Sequence, residues 1–168
     1  IALTVACNPP QSPKRTETAA VAEYDAKTGQ LRRIDIDQNK NGTMDTFGYW
    51  DGARLVRAEI DADENGRIER WEHYSEANAL ERVGTSSKGD GVEDRWSYPD
   101  AAGLLLKEEH DTDRDGVVDK RDTYAAEPGS SAGRVLAVVE LGIDKTGKPE
   151  RRLYYKPDGG FDKVEVVK

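Results

Sequence analysis

The chain has 168 residues, of which 35% are charged and 36% hydrophobic, and a net charge of −8. So little apolar material favours a thin or elongated fold over a compact core of ordinary size. The acidic balance argues against nucleic acid and suits cations or a basic partner. A single Cys excludes an intramolecular disulfide and a Cys-based zinc cluster. No apolar run reaches the length of a membrane span.

The chain opens on Ile1-Ala2-Leu3-Thr4-Val5-Ala6-Cys7, followed by the polar, Pro-rich Asn8-Pro9-Pro10-Gln11-Ser12-Pro13-Lys14-Arg15. This resembles the tail of a bacterial lipoprotein signal peptide, with Cys7 as the lipidated residue. The pattern prefers Leu three residues before the Cys, where this chain has Thr4 and carries Leu3 one position further away. A short apolar tail with an incidental Cys is the alternative. The resemblance implies a membrane anchor at Cys7 and a location on the periplasmic or extracellular side of the envelope. Residues 1–7 then end the signal, 8–20 form a Pro-rich tether, and 21–168 form the folded domain.

From Val21 the sequence repeats. Gly42, Gly66, Gly91, Gly116 and Gly147 align, spaced by 24, 25, 25 and 31 residues. Eleven residues before each Gly stands a Leu (Leu31, Leu55, Leu80, Leu105, Leu136), and three after it an acid (Asp45, Glu69, Asp94, Asp119, Glu150). A period near 25 residues signals an array. Short alternating segments flank Asn41-Gly42, Asn65-Gly66, Asp90-Gly91 and Asp115-Gly116, which are hairpin signals. Apolar residues do not recur at helical spacing. The fold class is therefore all-β: an antiparallel meander of about five tandem hairpin repeats, in an elongated or curled sheet. Phe161 to Val167 alternates as a closing strand.

The fourth copy carries Asp111, Asp113, Asp115, Asp119 and Asp122 at positions one, three, five, nine and twelve of a loop, with Gly116 at six. A hard cation takes six to eight oxygens, and this spacing supplies them, with the backbone carbonyl of Val117 at position seven. The second copy is equally complete: Asp61, Asp63, Asn65, Glu69 and Glu72, with Arg67 as the carbonyl. The first has Asp37, Asn39, Asn41 and Asp45, but Gly48 replaces the closing acid. The third offers Ser86, Lys88 and Asp90, where the Lys should exclude a cation; the fifth lacks a first ligand. The motif resembles the EF-hand loop, and more closely the Asp-rich calcium repeats of thrombospondin type 3, though no amphipathic helix flanks it. Calcium is the cofactor this implies. The competing reading is that Asn-Gly and Asp-Gly are turn chemistry and the acids are solubilising edge charges. A three-residue turn at Lys40-Asn41-Gly42 would put Asp37 opposite Asp45 and pair Asn39 with Thr43, whereas a two-residue turn would send the acids to opposite faces. Facing acids of that kind repel unless a cation lies between them.

Enzyme signals are poor. Gly129-Ser130-Ser131-Ala132-Gly133 has the letters of a nucleophile elbow without its strand-to-helix context, and reads as a loop. Phe47, Trp71 and Trp96 share one repeat position, the pattern of cross-strand packing, with a carbohydrate-binding strip as a minor alternative. Sequence thus points to a non-catalytic, lipid-anchored scaffold, stabilised by calcium or metal-free, presenting a sheet face to a protein partner. That partner could be a multi-subunit membrane complex.

Overall fold

The computed structural model describes residues 19–129 and 133–167. Cys7, the tether up to residue 18 and the middle of the Gly129–Gly133 segment lie outside them. The strands are β1 (Ala20–Tyr24), β2 (Leu31–Ile36), β3 (Thr46–Asp51), β4 (Arg54–Ile60), β5 (Arg70–Tyr74) and β6 (Leu80–Thr85). They continue as β7 (Arg95–Pro99), β8 (Leu105–His110), β9 (Lys120–Ala126), β10 (Arg134–Leu141), β11 (Arg151–Tyr155) and β12 (Phe161–Val166). All twelve form one antiparallel sheet in sequence order, open at β1 and β12. The expected all-β meander of hairpins is thus the observed architecture, and no described helix is long and apolar enough to cross a membrane.

Turns of two kinds alternate, so each kind collects at one end of the sheet. Short turns join β1 to β2, β3 to β4, β5 to β6, β7 to β8 and β11 to β12. Beside each of them the even-numbered strand carries one extra residue. Tyr49 pairs with Arg57 but Trp50 with Leu55, and Tyr98 pairs with Lys107 but Pro99 with Leu105, leaving Val56 and Leu106 as bulges. A bulge inserts a residue without losing the ladder and sharpens the local twist. The acidic loops gather at the opposite end.

Directly paired residues share a face. One face carries Phe47, Glu59, Trp71, Gly84 and Trp96 in a row from β3 to β7. The row continues through Glu109, Arg121, Glu140, Arg152 and Glu165 from β8 to β12. Charges alternate along this second half: Arg121 bonds Glu109 at 2.9 Å and Glu140 at 2.8 Å, and Arg152 bonds Glu140 at 2.8 Å. Cations also lie on ring faces, Lys107 at 3.9 Å from the Tyr98 centroid and Arg57 at 4.6 Å from that of Tyr49. Each such neighbour contributes on the order of 0.2–1 kcal/mol, and the sheet accumulates many.

The apolar interior is thin. Among the described residues the buried apolar side chains are Ala58, Trp71, Val83, Val139 and Ile143. The buried acids are more numerous: Asp37, Asp45, Asp61, Asp94, Glu108, Asp111 and Asp122. Acids that give up water need donors or cations in return, so the sheet depends on polar bonding as much as on apolar burial.

Phenols join this network. Burial, and then a hydrogen bond to a carboxylate, push Tyr74 (on Glu72) and Tyr98 (on Glu109) up to about 12. Burial and then the Glu108 charge do the same to Tyr124. An unfolded Tyr titrates at about 10. The stability these phenols contribute is therefore complete below about pH 10 and lost as pH rises through their folded values. Ultraviolet titration should show a late phenolate step that unfolding in denaturant abolishes. Ionisation of every Tyr in a single step near pH 10 in the native protein would contradict it.

Candidate metal centre

The first, second and fourth acidic loops share one conformation, built by their own side chains. The first-position acid turns back over the loop and accepts two N–H groups. Asp111 Oδ1 accepts from Asp115 at 3.1 Å and Oδ2 from Gly116 at 2.8 Å. Asp61 does the same for Asn65 and Gly66, and Asp37 for Asn41 and Gly42. The third-position oxygen accepts from residue five, in Asn39, Asp63 and Asp113 alike. The fifth accepts from residue seven: Asn41 from Thr43, Asn65 from Arg67, Asp115 from Val117. The ninth-position acid closes the ring on residue two: Asp45 on Gln38, Glu69 on Ala62, Asp119 on Thr112. Such nested side-chain turns bend the backbone while drawing the oxygens to one side.

The curl requires left-handed backbone at positions four and six. Lys40, Glu64 and Arg114 take φ of 62°, 58° and 65° at position four, and Gly42, Gly66 and Gly116 take 101°, 84° and 89° at six. Gly at six removes the steric cost there.

The connection is neither a two-residue nor a three-residue turn. The ladder stops at Ile36 paired with Thr46 and at Ile60 paired with Arg70, so nine residues lie between the strands. Asn39 and Thr43 are not a strand pair. Asp37 and Asp45 still begin and end their loop, but each carboxylate is occupied by backbone donors instead of facing the other across a ladder.

In the fourth loop Asp111, Asp113 and Asp115 each present an oxygen within 4.8 Å of the other two. In the second loop Asp61, Asp63 and Glu69 do so. Arg67 and Val117 stand at position seven, their amides tied to Asn65 and Asp115. In the first loop Asn39 and Asn41 instead donate their amide nitrogens to Glu64 of the second, at 2.6 and 2.5 Å.

The closing acids do not join. Glu72 lies on β5 and accepts from Arg70 at 2.9 Å and from Tyr74 at 2.6 Å. Asp122 lies on β9 beside Lys120 and His110, at 2.8 and 3.2 Å. Both are bound to the sheet face instead of the loops. In an EF-hand a helix follows position nine, so residue twelve returns to the same side. Here a strand follows, and three residues along it cover about 10 Å.

Among the described loop acids, Glu69 has a buried oxygen left uncompensated. Its Oε2 accepts from Ala62, but Oε1 is covered and has no hydrogen-bond partner. Burial first, then the nearby Asp63 and Asp61 carboxylates, raise its pKa. The loop therefore gathers negative charge at a point where its own side chains supply no cation.

The third loop resolves the same problem differently. Arg114, from position four of the fourth loop, reaches across and holds both oxygens of Asp90, at 2.6 and 2.7 Å. Its Nε lies 3.2 Å from Asp94. The guanidinium keeps Asp90 well below the usual carboxylate range. This inter-loop ion pair was missed from sequence. The one signal was an Arg at position four, 24 residues after the orphaned Asp90.

Neighbouring loops are joined by their backbones as well. In the second, third and fourth loops the first residue donates to the last acid of the loop before it: Asp61 to Asp45 at 2.8 Å, Ser86 to Glu69 at 3.0 Å, and Asp111 to Asp94 at 3.0 Å. The loop end is one continuous acidic edge. No protein-family model matches the sequence, and comparison with curated proteins finds no match.

Proposed function

We propose that the chain is a non-catalytic scaffold whose second and fourth loops take up calcium, making the acidic edge of the sheet rigid for a protein partner. The observation that carries this reading is Glu69: a covered, unpaired carboxylate oxygen beside Asp61 and Asp63. A hard divalent cation supplies what that oxygen lacks. Carbonyls at Arg67 and Val117 and water would complete the shells. Without the closing acids the sites hold less charge than an EF-hand. Their affinity belongs with the weak extracellular class, at about 10⁻⁴–10⁻³ M. A site tuned to that range suits an exported protein, in keeping with the lipid anchor read at Cys7.

Calcium titration by calorimetry tests this. The reading predicts two weak equivalents in the full chain and one after Asp63→Ala, which removes a second-loop ligand. Heats of dilution alone, in the wild type, would refute it. The second reading, a metal-free interaction module, draws on the third loop, where Arg114 already supplies the cation.

A further inference from the structure

We propose that Glu108, His110 and Asp122 form a separate site for a first-row transition ion, with zinc as the probe, on the sheet face opposite the Trp row. The three offer one ligand atom each within 4.8 Å of one another. They come from neighbouring strands: Glu108 pairs directly with Asp122, and His110 stands two residues along β8 on the same face. His110 Nε2 and Asp122 Oδ2 lie 3.2 Å apart. Two ligands of one tetrahedral zinc, at about 2.0–2.1 Å each, are separated by about 3.3 Å. An imidazole with two carboxylates suits zinc and its neighbours better than calcium, which takes oxygen alone.

Asp122 supplies the second observation. It is only 7% exposed, and its Oδ1 is covered without a hydrogen-bond partner. A buried carboxylate oxygen without a donor is an exception that needs an explanation, and a bound cation supplies one. Glu108 is held in place as a ligand should be. Arg95 and Ser97 donate to its Oε1 at 2.7 and 2.9 Å, and Tyr124 to Oε2 at 3.1 Å. Lys120 Nζ now sits 2.8 Å from Asp122 Oδ2, on a side chain 33% exposed. It can swing into solvent and yield its place to the ion. The place that Lys120 vacates is the fourth position, to be taken by water.

The site does not depend on calcium in the loops, and the experiment keeps the two apart. The full chain is titrated with zinc chloride in about 5 mM calcium, a concentration that fills loops of the affinity proposed above. The wild type and His73→Gln, which alters the other His, should each bind one zinc. His110→Gln and Asp122→Asn should bind it at least tenfold more weakly, with unchanged circular dichroism. Lys120→Gln should bind several-fold more tightly. Zinc binding by His110→Gln equal to that of the wild type, or none by the wild type, would overturn the site. Either result leaves the calcium titration to be judged by itself.

Discussion

Asp111→Ala should lower the melting temperature in EDTA, before any metal is considered. The residue is 6% exposed, and its carboxylate accepts the N–H groups of Asp115 and Gly116. Both bonds are to an ionised acceptor, the stronger kind. Alanine leaves two donors at a covered turn, and water recovers part of the loss. The expected cost is about 2–4 kcal/mol, which in a chain of this length is a fall of about 5–15 °C. The first residue of this loop also donates its own N–H to Asp94, so the damage should spread to the third loop. A scan of the variant beside the wild type, both in EDTA, measures it. Unchanged melting would mean that the nested turns hold without their first acceptor.

Trp71→Ala should cost as much by another route. Trp71 is the one large aromatic among the buried apolar residues described, at 9% exposed. It lies between Glu59 of β4 and Gly84 of β6. Gly84 has no side chain to fill a gap there, and Glu93 of the third loop folds over it, 1.9 Å from where a Cβ would stand. Glu93 in turn meets His73 and Arg82, at 3.3 and 3.6 Å. Removing the indole opens a cavity that no second layer can collapse into. The cost for a buried Trp is about 3–5 kcal/mol. Because each strand contacts chiefly its neighbours, the loss should concentrate around β4–β6. Hydrogen exchange should show these strands opening first, with β10–β12 unaffected. Uniform destabilisation across the sheet would show that the array unfolds as one unit.

The repeat, the hairpins and the acidic loop positions were legible because each answers to a strict local demand. Gly66 and Gly116 stand where the backbone is left-handed, and Asp61 and Asp111 stand where two amides need an acceptor. Those demands recur each period and leave the same letters. The loop length was not legible. Asn-Gly and Asp-Gly favour tight turns, but an Asp five residues before the Gly offers the amides a competing acceptor, and nine residues leave the ladder. The bulges at Val56 and Leu106 left no signal either, since a bulged position takes almost any side chain. Glu72 and Asp122 stand apart from the loop acids for a reason of period. Ligand spacing taken from a loop-helix unit fails where a strand follows. The pairing of Arg114 with Asp90 was out of reach because it depends on the lateral packing of two loops.

The most direct test of a calcium-stabilised array is the melting temperature of the wild type in EDTA against about 5 mM calcium. At affinities of about 10⁻⁴–10⁻³ M each filled site adds about 1–2 kcal/mol. Two sites should then raise melting by about 5–15 °C, and Asp111→Ala should lose the share of the fourth loop. Identical melts in the two buffers would contradict the account. The loops would then be self-contained hydrogen-bonded turns, and the sheet a scaffold without metal.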